Sequence, residues 1–207
     1  MTLQTQAKAP LVIGLTGKKG TGKDTVANYL VTNYYAHKLS FVQVIRDGLA
    51  AMLRVDPIIF EARDMRERPI RELVPSLRID KTPRQMMQLL ASEWGRQMIQ
   101  SDLWIAIAEH ASRHDMESCD FVVISDMRKD DEAEWVHKHN GWVVEIINPR
   151  VHSDDTHDTE RGVSRHLIDA TLINDADIPT LLARTEELMA DLVPSYEAAQ
   201  MKRGLAV

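Results

Sequence analysis

The stretch that most limits what this chain can fold into is Leu11–Thr25, LVIGLTGKKGTGKDT. An apolar, β-prone run, Leu11-Val12-Ile13-Gly14-Leu15, passes into a turn with Gly17, Gly20 and Gly22 and ends in Lys23-Asp24-Thr25. Val26–Leu30 then reads as helix. Strand, glycine loop, lysine, helix is the order of a phosphate-binding P-loop, and the pattern G-x-x-x-x-G-K fits from Gly17 to Lys23. Glycines let successive backbone N–H groups curl around a phosphate without Cβ clashes. The helix start adds the positive end of its dipole, and Lys23 adds a mobile cation for β- and γ-phosphates. Gly17, Lys18, Gly20, Thr21, Gly22, Lys23, Asp24 and Thr25 are the expected polyphosphate contacts. Asp24 stands where Ser or Thr normally ligates Mg²⁺. It would either hold magnesium through water or cap the helix, and the sequence leaves both open.

With 207 residues the chain is long enough for one α/β domain with a buried core. A net charge of −6 argues against general nucleic-acid binding. The single cysteine, Cys119, excludes an internal disulfide and a cysteine-based zinc site. No apolar run approaches the ~20 residues that span a bilayer, and Met1–Pro10 lacks the apolar centre of a signal peptide. A cytoplasmic enzyme is the default expectation.

Beyond the first helix, Phe41–Ile45 is a short β-prone run and reads as the second strand. Arg46 would then lie just past a strand's carboxyl end, where open α/β sheets bind ligands, and could hold a second phosphate. Asp56–Lys81 is irregular and arginine-rich. Thr82-Pro83-Arg84-Gln85 opens a helix with an N-cap, a proline at the first position and a capping-box glutamine. Along it Met86, Met87, Leu90, Trp94 and Met98 form an apolar stripe, opposite Arg84, Gln88, Ser92, Gly95 and Arg96. Phe121–Ser125 reads as a buried strand running into Asp126, the pattern of an acid that organises a magnesium shell beside a P-loop. Arg128, two residues on, could reach phosphate. Trp142–Ile147 and Thr171–Asn174 read as further strands, and Asp177–Leu192 as a terminal helix. The segment between them, Asn148–His166, is polar and rich in Asp, His and Arg. Its His152, His157 and His166 match no helical ligand pair, which speaks against a metal site there. Five strands alternating with helices predict a parallel sheet covered on both faces.

Several segments together resemble the phage-type deoxynucleoside monophosphate kinases. They are GLTGKKGTGKDT, KTPRQMMQLLASEWGRQMI with DLWI, VVISDMRKDDEAEW, GWVVEIINP, HDTERG and a late INDAD, spread over roughly residues 11–188. GKDT in place of GKST looks typical of that family. The resemblance implies a P-loop NTPase fold, a three-layer α/β/α sandwich with a five-stranded parallel sheet, a helical monophosphate-binding insertion and a lid. On one domain over 1–207, the core would occupy about 11–45, 119–148 and 168–193, the monophosphate-binding part about 46–115 and the lid about 149–167. It implies transfer of the γ-phosphoryl of ATP, with Mg²⁺, to a deoxynucleoside 5′-monophosphate. Arg84, Gln88, Glu93 and Trp94 would line the monophosphate site, and His157 and Glu160 match a family H-x-[ST]-E segment near the substrate. Arg150, Arg161 and Arg165 fall where nucleotide kinases carry the lid and would close over the transferring group. Lys23 and these arginines would neutralise the moving phosphoryl group, and Arg84 with Arg46 or Arg128 would fix the acceptor. Where relatives show an acid and a proline after the second strand, this chain has Gln43 and Val44. The expected partner is the monophosphate substrate, with no nucleic acid and no membrane; a homodimer stays open, and the host cytoplasm follows if the chain is phage-encoded. Competing readings are another small-molecule P-loop kinase, of the dephospho-CoA or phosphomevalonate type, and a non-catalytic nucleotide-binding module.

Overall fold

The computed structural model describes residues 9–151 and 162–204, with main chain alone for 198–204. The chain divides into two units, one of residues up to Leu39 joined with those from Ser112 onward, the other Ser40–Ala111.

The first unit is built on β1 (Leu11–Thr16), every residue of which is buried. Beside it lie β2 (His37–Leu39), β3 (Phe121–Ile124), β4 (Trp142–Ile147) and β5 (Ala170–Ile173) in the order β2-β3-β1-β4-β5, all parallel. β1 is central because its unbroken apolar run suits a strand covered on both faces. Alternate side chains go to opposite faces. Leu11, Ile13 and Leu15 share a core with Val26, Ala27 and Leu30 of α1 (Lys23–Tyr34) and Leu181, Met189 and Leu192 of α9 (Ile178–Gly204). Gly14 faces the other way, against Met127 and against Val136 of α8 (Asp130–Lys138). An added Cβ there would come within 2.9 Å of Met127. α9 runs through Pro194 to Gly204, past the end expected at Leu192.

The second unit holds α2 (Phe41–Leu53), the single-turn helices α3 (Ile58–Glu61), α4 (Arg63–Arg66) and α5 (Ile70–Leu73), and α6 (Pro83–Gln88). Its last wholly contained element is a π-helix over Leu89–Ile99. α7 (Leu103–Ser118) follows. Ile45, Leu49, Ile59, Phe60, Met87 and Trp104 make its core.

Two expectations are corrected here. Phe41–Ile45 is helix, not strand, and the second strand is His37–Leu39. Ser40 is the N-cap, its hydroxyl accepting the Gln43 N–H at 3.1 Å. Phe41, Ile45 and Leu49 then recur at the helical interval, and all are buried. Arg46 therefore rides on the second turn of a helix rather than at a strand's carboxyl end. The capping box at Thr82 and Gln85 is present as expected. The helix it opens, however, changes to i→i+5 bonding at Leu89, closed by the Gln100 N–H on the Gly95 carbonyl at 2.9 Å. Met86, Met87 and Leu90 pack on this unit's core as expected, joined by Ala91 and the buried Gly95. Trp94 and Met98, expected in the core, are exposed. Gly95 is needed where it stands. A Cβ there would lie 2.4 Å from the Trp104 ring, whose Nε1–H donates to the Ala91 carbonyl at 2.8 Å.

Candidate active site

At the carboxyl edge of the sheet, residues 17–22 link β1 to α1. Gly17, Gly20 and Gly22 all hold positive φ, at 126°, 84° and 112°, a region L side chains seldom enter. Lys23, the first residue of α1, folds back so that Nζ donates to the carbonyls of Gly17 and Lys18, both at 2.7 Å. The Thr21 hydroxyl donates to the Lys18 carbonyl at 2.9 Å. An ammonium bridging two carbonyls at the mouth of such a loop can exchange them for phosphate oxygens.

Asp24 and Thr25 lie in the first turn of α1. The N-cap is Gly22, so the capping alternative for Asp24 does not hold. The Asp24 carboxylate is exposed, with the Lys38 ammonium 3.9 Å away. Asp126 follows the buried Ser125 beyond β3. Because Gly14 pairs with Ile124, Asp126 stands two residues past that pair, as Thr16 does on β1. Asp24 and Asp126 are thus acids at the loop's side of the sheet, with the hard oxygen donors that suit Mg²⁺.

Arg128 is exposed. Its main-chain N–H donates to Glu132 Oε2 at 2.7 Å. Arg150 donates through its guanidinium to the main-chain carbonyl of Asp175. Arg165 pairs with Glu145 at 3.1 Å, and Glu145 is the β4 residue opposite Thr16. Both arginines hold intramolecular oxygen partners that a phosphate would have to displace. Arg161, His157 and Glu160 lie outside the described residues.

Of the residues expected around an acceptor, all in the second unit, Arg84 pairs with Glu67 at 3.2 Å. Arg46 Nη1 donates to Gln43 Oε1 at 3.3 Å. Gln88, Glu93 and Trp94 are exposed, the Trp94 ring tilted against Trp104 with centroids 6.2 Å apart.

Two supporting residues went unread in the sequence. Asn174, just after β5, donates through Nδ2 to the Thr21 carbonyl at 2.9 Å and so struts the glycine loop from outside. A polar residue leaving the last strand at the carboxyl edge was its only signal. Asp130, the first residue of α8, accepts the Ser164 hydroxyl at 2.6 Å and the Ser164 N–H at 2.7 Å. This fastens the chain immediately before Arg165.

The Ser164 hydroxyl, and then its N–H, hold the Asp130 carboxyl below its ordinary range. A carboxyl depressed in the folded state adds stability above its unfolded pKa of about 3.9 and loses it as pH falls through the folded value. Ser164→Ala is therefore expected to melt below the parent at pH 6–7, with the gap closing below about pH 4. Melting temperatures from pH 3 to 7 check this; a gap independent of pH would refute it.

A parallel sheet whose central strand runs into a glycine-cradled lysine loop at a helix start defines the P-loop kinase fold class. A solved structure, TT1252 from Thermus thermophilus, shares the architecture, with a TM-score of 0.50 at 21% identity over 89% of this chain and 99% of that one. The deoxynucleotide monophosphate kinase family matches residues 65–185, more than half of the chain, and the chain belongs to that family. It is a kinase, a phosphotransferase of nucleotide metabolism. An Acanthamoeba polyphaga mimivirus protein that carries the provisional name deoxynucleotide monophosphate kinase is 28% identical over 186 residues, 81% of this chain and 90% of its own length. Among the described residues no helix is long and apolar enough to cross a membrane.

Proposed function

We propose that the chain transfers the γ-phosphoryl group of ATP to a deoxynucleoside 5′-monophosphate, giving the diphosphate and ADP. The observation that carries this reading is the loop over residues 17–23. Three positive-φ glycines and a folded-back lysine form a cradle for a polyphosphate, in a chain whose family is named for phosphorylating deoxynucleotides.

The acceptor phosphate oxygen attacks the γ-phosphorus as the bond to the bridging oxygen of ADP breaks. A monophosphate is already anionic, so no general base is required, and the protein's work is alignment and charge neutralisation. Loop N–H groups and Lys23 hold the β- and γ-phosphates of ATP in this reading. Asp24 and Asp126 would hold Mg²⁺ carried in with the nucleotide, which supplies charge neutralisation between the phosphates. Arg150 and Arg165 are the described cations assigned to the moving group, with Arg161 between them in sequence. Arg84 and Arg128 fix the acceptor phosphate, and Gln88, Glu93 and Trp94, with His157 and Glu160, contact the rest of the monophosphate.

The test is ADP release from ATP with dTMP, dGMP, dCMP, dAMP and the four ribonucleotides as acceptors. Turnover with at least one deoxynucleotide, above its ribose counterpart, is the expected result. Turnover only with a non-nucleotide acceptor such as dephospho-CoA, or ATP binding with no diphosphate product, would overturn the reading.

A further inference from the structure

We propose that Glu132 is a positioning residue for phosphoryl transfer, acting by fixing the main chain of Arg128. This rests on the reading above, in which Arg128 meets a phosphate. The two can be made to fail separately.

Carboxylates are almost never fully buried without strong partners. Glu132, in the first turn of α8, is only 6% exposed. Its Oε2 accepts two N–H groups, from Arg128 at 2.7 Å and Lys129 at 3.1 Å, and its own N–H donates to Asp131 Oδ1 at 3.0 Å. A glutamate that only caps a helix receives the N-cap N–H, here that of Lys129. Glu132 reaches one residue further back, to Arg128 itself, and is buried while doing so. The residue on the other side of Arg128 is fixed as well. Met127 is fully buried, with its side chain against Gly14 of β1.

The turn between β3 and α8 is thus anchored at both neighbours of Arg128, by packing before it and by a carboxylate after it. The direction in which the Arg128 side chain leaves the main chain is set by those two anchors. Displacing a phosphate-contacting group by about 1 Å can cost about 100-fold in rate. Cutting one anchor should therefore lower turnover through Arg128 even though Glu132 touches no substrate.

The experiment is a double-mutant cycle on the full chain, assayed with ATP and an equimolar mixture of the four deoxynucleoside monophosphates. It is run below the melting transition of every variant. Glu132→Ala is expected to lower turnover about 30-fold in the parent but no more than about twofold in Arg128→Ala, because groups that act through one another are not additive. Glu132→Gln keeps the shape and an acceptor oxygen. It should lose about fivefold in the parent, and that loss too should vanish in Arg128→Ala. The glutamine cycle decides the matter if Glu132→Ala does not fold. Equal losses in both backgrounds, or no loss in folded Glu132 variants, overturn the inference alone. Normal turnover by Arg128→Ala overturns the role of Arg128 and the inference with it.

Discussion

Lys23→Ala is expected to lower turnover by about 10³-fold while lowering the melting temperature by less than about 8 °C. Removing one preorganised donor from developing charge costs about 10²–10³ in kcat, and a cation on a transferring phosphoryl group belongs at the upper end. The small effect on folding follows from what holds the loop in place. Lys23 gives the loop two hydrogen bonds, to the carbonyls of Gly17 and Lys18. The loop also has the Thr21 hydroxyl on Lys18 and the Asn174 amide on Thr21, which the substitution leaves intact. Losing a charge-assisted pair at a partly exposed site should cost about 1–2 kcal/mol, or roughly 2–8 °C in a chain of this size. Lys23→Arg should still lose more than about tenfold, because a broad planar guanidinium does not reproduce a compact ammonium's point charge among phosphate oxygens. Steady-state ADP release with a parallel melting curve checks both halves. Near-normal turnover by folded Lys23→Ala would remove the loop from the chemistry.

The glycine loop was legible because its pattern is local. Strand, glycines, lysine and helix follow one another with no partner from elsewhere in the chain, so the residues carry the geometry. The central sheet was legible for a related reason. Leu11–Leu15, Phe121–Ile124 and Trp142–Ile147 are apolar enough to be buried on both faces, which few surface segments are.

The misreadings came where tertiary contacts decide. Phe41–Ile45 has the composition of a strand, but one hydroxyl, Ser40, starts a helix whose stripe becomes visible only when Leu49 is counted with it. The π-helix is harder still. A stripe at Met86, Leu90, Trp94 and Met98 is a sound helical pattern, and nothing within it announces that the turn widens from Leu89 onward or that Trp104, from the next element, lies against Gly95. Asn174 and Glu132 escaped notice because both serve main-chain groups. A side chain that holds a carbonyl or an N–H leaves no periodic trace. The roles of Arg84, Gln88, Glu93 and Trp94 rest on resemblance, since the contacts described for them are to their own unit, and Arg46 lost its ground when the strand before it proved to be helix.

Gly17→Ala should be the most disruptive single-methyl change in the chain's first forty residues. Gly17 holds φ at 126°, and a Cβ built there meets the main-chain carbonyl oxygen of Ile146 at 2.3 Å. That oxygen belongs to β4, paired with β1 at the centre of the sheet, so it cannot retreat without bending two strands. A non-glycine residue held in such backbone costs about 1–3 kcal/mol, and forcing an extra methyl into packed surroundings costs about 1–3 more. A loss of about 3 kcal/mol or more corresponds to a fall of roughly 6–12 °C in melting temperature. ATP affinity should fall with it, since the first N–H groups of the cradle follow Gly17 directly. Gly20→Ala is the internal control. Its φ of 84° is also positive, but among the described residues the added Cβ would meet nothing nearer than the Val151 side chain at 4.0 Å. It should cost only the backbone strain, about 1 kcal/mol. Melting curves and nucleotide titrations of the two variants side by side separate strain from collision. If Gly17→Ala proved as mild as Gly20→Ala, the close approach of the loop to β4 would not exist in the folded protein, and the cradle would have to be drawn differently.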